Sequence, residues 1–149
     1  DVAMEPVSPE MKRLFVGGKG FFLWLLWQAV APTTRWNDPQ NAICIAAGPL
    51  GGTPIYPGSG KSIVTALSPL TGSVIDSNVG GYFGPYMKFS GWDAIEVQGK
   101  AESDVIIVID GEDVRRKLEP FARGMFREGF SVRPLFLRPA VRQGRKKMI

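Results

Sequence analysis

Apolar and polar positions alternate along the 149-residue chain with two different periods, and glycine or proline marks most of the changes between them. Ser8-Pro9-Glu10-Met11 places a hydroxyl at an N-cap, proline at the first helical position and an acid in the first turn. That order predicts a short helix stopping at Gly17-Gly18. Residues 21–30 are apolar nearly all round, too long for a typical strand and without alternation, which predicts a buried helix. Residues 32–39 form a polar loop. Residues 42–47 are a short apolar run ended by Gly48-Pro49, the profile of a buried strand. Residues 48–60, rich in glycine and proline, predict tight turns. Strands are expected over residues 62–67 and 73–76, with a turn at Ser68-Pro-Leu-Thr-Gly72 between them. Gly80-Gly81 precede a helix over residues 82–89, where Pro85 is tolerable only near the first turn. Residues 94–98 and 104–110 read as strands, and Gly111-Glu-Asp113 turns a hairpin into a further strand around Val114. Strands in neighbouring groups with few intervening helices predict an α+β fold rather than a doubly wound parallel sheet.

Composition removes whole classes of chemistry. The chain has no histidine, so Ser-His-Asp and Cys-His catalysis are excluded, as are most zinc hydrolase designs. Its one cysteine, Cys44, excludes an internal disulfide and any iron–sulfur or zinc site built from this chain's thiolates alone, and it reads as a small core residue. At 44% hydrophobic and 11% aromatic, the sequence has material for a packed core. The longest apolar run falls far short of the ~20 residues that cross a bilayer, and the acidic start Asp1-Val-Ala-Met-Glu5 is no secretory leader.

Charge divides the chain. Residues 1–120 carry 10 Lys/Arg against 13 Asp/Glu, whereas residues 121–149 carry 8 against 1. The basic character therefore belongs to the last stretch, whose irregular arginines and prolines fit neither regular period over more than a few residues. A boundary is expected near Pro120.

Several apparent motifs weaken on inspection. Gly58-Ser-Gly-Lys-Ser62 resembles a nucleotide phosphate loop, but Ile55 stands where the first glycine is required, and Ser62 opens a strand rather than a helix. Gly18-Lys-Gly20 has Leu23 at the third position of a dinucleotide fingerprint. Phe21, Phe22, Trp24 and Trp27 lack interleaved basic residues and read as core. Asp93 and Glu96 are expected at a helix exit and on the wet face of a strand. Three glycine clusters stay unabsorbed by core building: Gly48-Pro-Leu-Gly-Gly52, Pro57-Gly-Ser-Gly-Lys61 and Ser77-Asn-Val-Gly-Gly81. They are either tight turns between strands or exposed amides for a polyanionic ligand. In the second case Gly80-Gly81 add the positive end of the helix that follows, Lys61 supplies charge, and Asn78 supplies an amide for a pterin- or phosphate-like edge.

Five segments occur in order: Ala46-Ala-Gly-Pro-Leu-Gly-Gly-Thr-Pro54, Ser68-Pro-Leu-Thr-Gly72, Asn78-Val-Gly-Gly-Tyr-Phe-Gly84, Met87-Lys-Phe-Ser-Gly-Trp-Asp-Ala-Ile95 and Gly99-Lys-Ala101. Together they resemble the N-terminal domain of the aldehyde:ferredoxin oxidoreductase family, tungsten or molybdenum enzymes with a bis-pterin cofactor, over residues 14–113. The resemblance implies a domain of two β-sheets with few helices forming a base for that cofactor, present here in incomplete form. It also implies that Lys61, Asn78 and Gly80 occupy cofactor-contacting positions, with Gly81 beside them. The position of Lys61 usually holds arginine in that family, and lysine keeps the charge but loses the planar two-pronged grip on phosphate. No catalytic residue and no metal ligand is assigned within this chain.

The family's [4Fe-4S] cluster is held by four cysteines of its later domains. The resemblance therefore implies that aldehyde oxidation, and electron transfer through the cluster to ferredoxin, need parts outside this chain. It implies a homodimer and a cytoplasmic setting. It fades after Arg116, and the chain is expected to begin after the family's first strands. Residues 1–120 then form a truncated cofactor-binding domain, and residues 121–149 a basic tail of non-family character, such as a gene read in the wrong frame or a fusion. The alternative is a non-catalytic binding or scaffold module whose tail, with Phe121, Phe126, Phe130 and Phe136, attaches to nucleic acid or another polyanion.

Overall fold

The computed structural model describes residues 3–99, 105–111, 113–118 and 133–138. In chain order it contains β1 (Ala3–Pro6), α1 (Pro9–Leu14), α2 (Lys19–Ala29), β2 (Ala42–Ala47), β3 (Ser62–Leu67), β4 (Val74–Val79), α3 (Phe83–Phe89), β5 (Ala94–Gln98), β6 (Val105–Asp110), β7 (Asp113–Leu118) and β8 (Arg133–Arg138). One sheet of six strands runs β1-β8-β5-β2-β3-β4, and β6 and β7 form a separate two-stranded hairpin. The α+β expectation of two sheets with few helices is met. All strand pairs are antiparallel except β1 with β8.

Local chemistry explains most element starts. The Ser8 hydroxyl accepts a hydrogen bond from the Met11 backbone N–H at 3.1 Å, and Pro9 enters α1 where a missing N–H costs nothing. Helix α2 begins two residues earlier than its apolar run, because Gly18 takes φ +52° and turns the chain into the helix.

The sheet alternates between two cores. Ala42, Cys44 and Ala46 point to one face, where their small side chains let α2 come close and bury Phe21, Phe22, Leu25 and Leu26. Ile43 and Ile45 point to the other, beside Ala47, Met87, Trp92, Ile95 and Val97, with Ile107 and Ile109 of the hairpin packed on top. The Trp92 indole donates to the Gly111 carbonyl at 2.9 Å, which pins the hairpin turn to this second core.

Three expectations need correction. Helix α2 is not buried all round: Leu23 is 39% and Trp27 79% exposed, since a helix on one face of a sheet hides only the stripe that meets it. The aromatic set thus divides, with Phe21 and Phe22 in the core and Trp27 outside it. Glu96 is not on a wet face; it is 6% exposed, on the α2 side of β5 opposite Cys44. β1, absent from the sequence reading, reaches the sheet only through β8. β8 lies beyond the compositional boundary near residue 120, and its Pro134 aligns with Val97 of β5.

Candidate functional site

Antiparallel pairing builds the site. β2 and β3 align Ala47 with Ser62, and β3 and β4 align Ser62 with Val79. The residues just past these pairs, the Gly48–Gly52 turn, Lys61 and Gly80, therefore come together at one end of the sheet. Gly18, at the start of α2, joins them, its N–H donating to the Ala47 carbonyl at 3.1 Å.

These parts enclose a hollow of about 300 Å³, lined among others by Gly18, Gly48, Gly51, Gly58, Lys61 and Asn78. All three glycine clusters thus reach one cavity, the third through Asn78 rather than through its glycines, and both polar candidates line it. Gly80 and Gly81 are not in its lining. Gly80 lies behind Lys61, where an added Cβ would sit 3.4 Å from the lysine Nζ, and Gly81 presents its carbonyl 3.0 Å from an added Cβ on Gly60. Contact that tight with a backbone oxygen explains glycine at position 60, because the two turns flanking Lys61 touch through it.

A Cβ on Gly48 would meet no protein atom within 4 Å, so that position opens into space. Gly51 is held differently: an added Cβ would lie 3.0 Å from the Gly48 carbonyl and 3.1 Å from Lys88 Cγ. The turn is thus pressed against α3. Lys88 in turn is ion-paired with Asp93, both largely buried, which braces α3 against the start of β5.

The hollow is electropositive. Lys61 makes no ion pair among the described residues, whereas Lys19 is neutralised by Asp76 at 3.0 Å. The helix start beside the hollow belongs to α2, an 11-residue helix capped by Gly18 without any side-chain hydrogen bond. The glycine pattern instead predicts this role for the helix after Gly80-Gly81. That helix starts at Phe83 behind a Tyr82 cap and lines none of the hollow. The signal for α2 in the sequence is Gly17-Gly18-Lys19-Gly20, whose Gly18 caps the helix.

Other groups have structural roles. Ser62 opens β3, so Gly58-Ser-Gly-Lys-Ser62 lacks the helix a nucleotide loop requires. Burial pushes the Cys44 thiol far above its ordinary range, with the charge of Glu96 adding to the effect. Among the described residues no group of three or more His, Cys, Asp or Glu side chains is placed to hold a metal ion. No helix among them is long and apolar enough to cross a membrane. The phenylalanines and arginines offered for polyanion binding at 121–132 and 139–149 lie outside the described residues.

The family model described as aldehyde ferredoxin oxidoreductase, N-terminal domain, matches residues 1–125, further at both ends than the five sequence segments reach. A tungsten-containing aldehyde ferredoxin oxidoreductase of Pyrococcus furiosus is 42% identical over 114 residues, 76% of this chain and 19% of that protein. The aliphatic sulfonate oxidoreductase WOR-like subunit of the same organism is 33% identical over 111 residues, 72% of this chain and 17% of its own length. Among solved structures, the active-site complex BamBC of benzoyl coenzyme A reductase with 1,5-dienoyl-CoA superposes with a TM-score of 0.71 at 30% identity, over 78% of this chain and 19% of that one. The chain spans about a fifth of the length of the tungsten-containing relatives it matches.

Proposed function

Because the chain belongs to the aldehyde ferredoxin oxidoreductase N-terminal domain family, we propose that its glycine-lined hollow is one wall of a pterin-cofactor cradle. The observation that carries this reading is the convergence of Lys61, Asn78 and the Gly48–Gly52 and Gly58 turns on one cavity beside a helix start. The donor set fits the group. Lys61 and the α2 N-terminus favour phosphate, the Asn78 amide can both donate to and accept from a heterocycle edge, and Gly48 leaves the space a flat ring would fill. At about 300 Å³ the hollow is at the small end of ligand cavities, as expected of one wall of a site completed by other parts.

When bound, a tungsten or molybdenum bis-pterin would supply the two-electron redox chemistry of aldehyde oxidation to a carboxylic acid. This chain's residues bind and orient: Lys61 offsets phosphate charge, Asn78 fixes an edge, Gly80 lets the lysine lie against the backbone, and Gly81 supports the turn behind it. With one cysteine the chain cannot supply the thiolates of a [4Fe-4S] cluster, and among the described residues no acid–base pair lines the hollow. The cluster, the ferredoxin partner and the aldehyde pocket are therefore assigned to the remainder of a complete enzyme, a cytoplasmic homodimer on this reading. The 149-residue polypeptide alone will not oxidise aldehydes.

The test is a titration of the 149-residue chain with inorganic pyrophosphate, followed by backbone amide shifts. Shifts confined to Gly18, residues 48–61 and Asn78 are expected. Lys61→Ala should weaken binding about tenfold, the loss of one charge-assisted contact, and Lys61→Arg should restore it. Shifts spread over the surface, or an unchanged affinity in Lys61→Ala, would overturn the assignment.

A further inference from the structure

At the opposite end of α2 lies a second cavity of about 360 Å³, remote from the glycine turns and separate in its chemistry. Its lining holds the carboxyls of Glu96 of β5 and Glu5 of β1, the polar side chains of Ser8, Gln28 and Gln98, and an apolar set that includes Met11 of α1 with Trp24 and Leu25 of α2. Glu96 is 94% hidden by its surroundings, being 6% exposed, and among the described residues its carboxyl makes no hydrogen bond or ion pair. No lysine or arginine is among the cavity's described lining residues. The last turn of α2 ends at this cavity and carries no basic residue, so the negative end of the helix dipole adds to the two carboxyls. A buried carboxyl without a partner is costly, and a protein keeps one there either neutral or facing a cation. Burial does push Glu96 up to about 7, with the charge of Glu5 contributing second, so near neutral pH a bound cation would draw it into its charged form.

We propose that this cavity binds a small organic ammonium ion, its cationic head between Glu96 and Glu5 and its apolar body against Met11, Trp24 and Leu25. Two features select this class over a metal ion. Two carboxyls fall well short of the roughly six to eight oxygen ligands of a calcium site, and no larger acidic cluster exists among the described residues. The space also greatly exceeds one ion, and much of its wall is apolar, matching an alkyl body with an aromatic ring beside the charge. The site shares no residue with the proposed cofactor cradle, and its occupancy does not depend on that cradle.

The experiment titrates the full 149-residue chain with butylammonium, with butanol as a neutral analogue of the same shape and with magnesium ion alone, following amide shifts and binding heat. Butylammonium should shift residues around Glu96, Trp24 and Leu25 and leave Gly48 and Lys61 still. Butanol should bind at least tenfold more weakly. Glu96→Gln should lose at least tenfold in butylammonium affinity, and Glu5→Gln, at an exposed position, a smaller factor. Circular dichroism melts check that both variants fold, and Glu5→Gln keeps the test open should Glu96→Gln not. Equal binding of butanol and butylammonium would overturn the proposal, as would magnesium bound in the cavity in preference to the amine. So would unchanged affinity in the folded variants.

Discussion

Replacing Glu96 with glutamine should make this protein more stable at neutral pH and leave it unchanged in acid. The folded-state carboxyl titrates at about 7 against an ordinary 4.5, raised first by burial and second by the charge of Glu5. An acid whose pKa is higher in the folded state binds its proton more tightly there. Its contribution is fully present below pH 4.5 and is lost as the pH climbs through about 7. At about 1.4 kcal/mol per pH unit, the full shift corresponds to about 3 kcal/mol. Water reaching the adjoining cavity screens part of this, leaving about 2 kcal/mol as the expected effect. For a chain of this size that is roughly 4–8 °C in melting temperature. The assay is urea unfolding of wild type and Glu96→Gln at pH 4 and pH 8, read as the difference between the two proteins at each pH. Titrations elsewhere in the chain largely cancel in that difference. Near-equal stability at pH 4 and an advantage of about 2 kcal/mol for the variant at pH 8 are expected. A difference that does not change with pH, or one that favours wild type at pH 8, would refute the burial argument. Adding Glu5→Gln to wild type should recover only a minor part of the gain, since Glu5 is the lesser cause.

Further outcomes follow from the glycine turns, the brace on α3 and the buried thiol. Gly72→Ala, at φ +67° with nothing within 4 Å of the new methyl, should cost about 1 kcal/mol of unfolding free energy, since strain is its whole cost. Gly52→Ala, at φ +78° with Phe89 Cε1 2.8 Å from the new methyl, should cost slightly more, because the 62% exposed ring can swing aside. Only Gly52→Ala should also shift the amides around the hollow. Lys88→Met strands a largely buried Asp93 and should cost about 2 kcal/mol, with Lys88→Met/Asp93→Asn recovering much of it in a double-mutant cycle. Cys44, fully enclosed and with its thiol held protonated, should resist Ellman's reagent in the native protein at pH 8 and react promptly in urea.

Local patterns were enough to specify most elements of this protein. Short apolar runs between glycine and proline gave β2, β3 and β5 their bounds, and Ser8-Pro9 gave α1 its start, because caps and turn residues act on their immediate neighbours. The five ordered segments carried the family, and the glycine clusters carried the expectation of a ligand-facing wall. Pairing decided the rest. Whether Lys61 and Asn78 share a hollow depends on the register of β3 against β2 and β4, a contact between residues distant in sequence. Which helix start faces that hollow was likewise open until α2 was laid across the sheet, bringing Gly18 and not the Gly80-Gly81 turn into its lining. Trp27 and Leu23 look like core in a list of residues, yet the sheet has only one surface to offer α2, and they lie on its far side. Glu96 shows the same limit in reverse: strand alternation alone cannot tell a face covered by a helix from one that is wet, and only the packing of α2 on β5 buried that carboxyl.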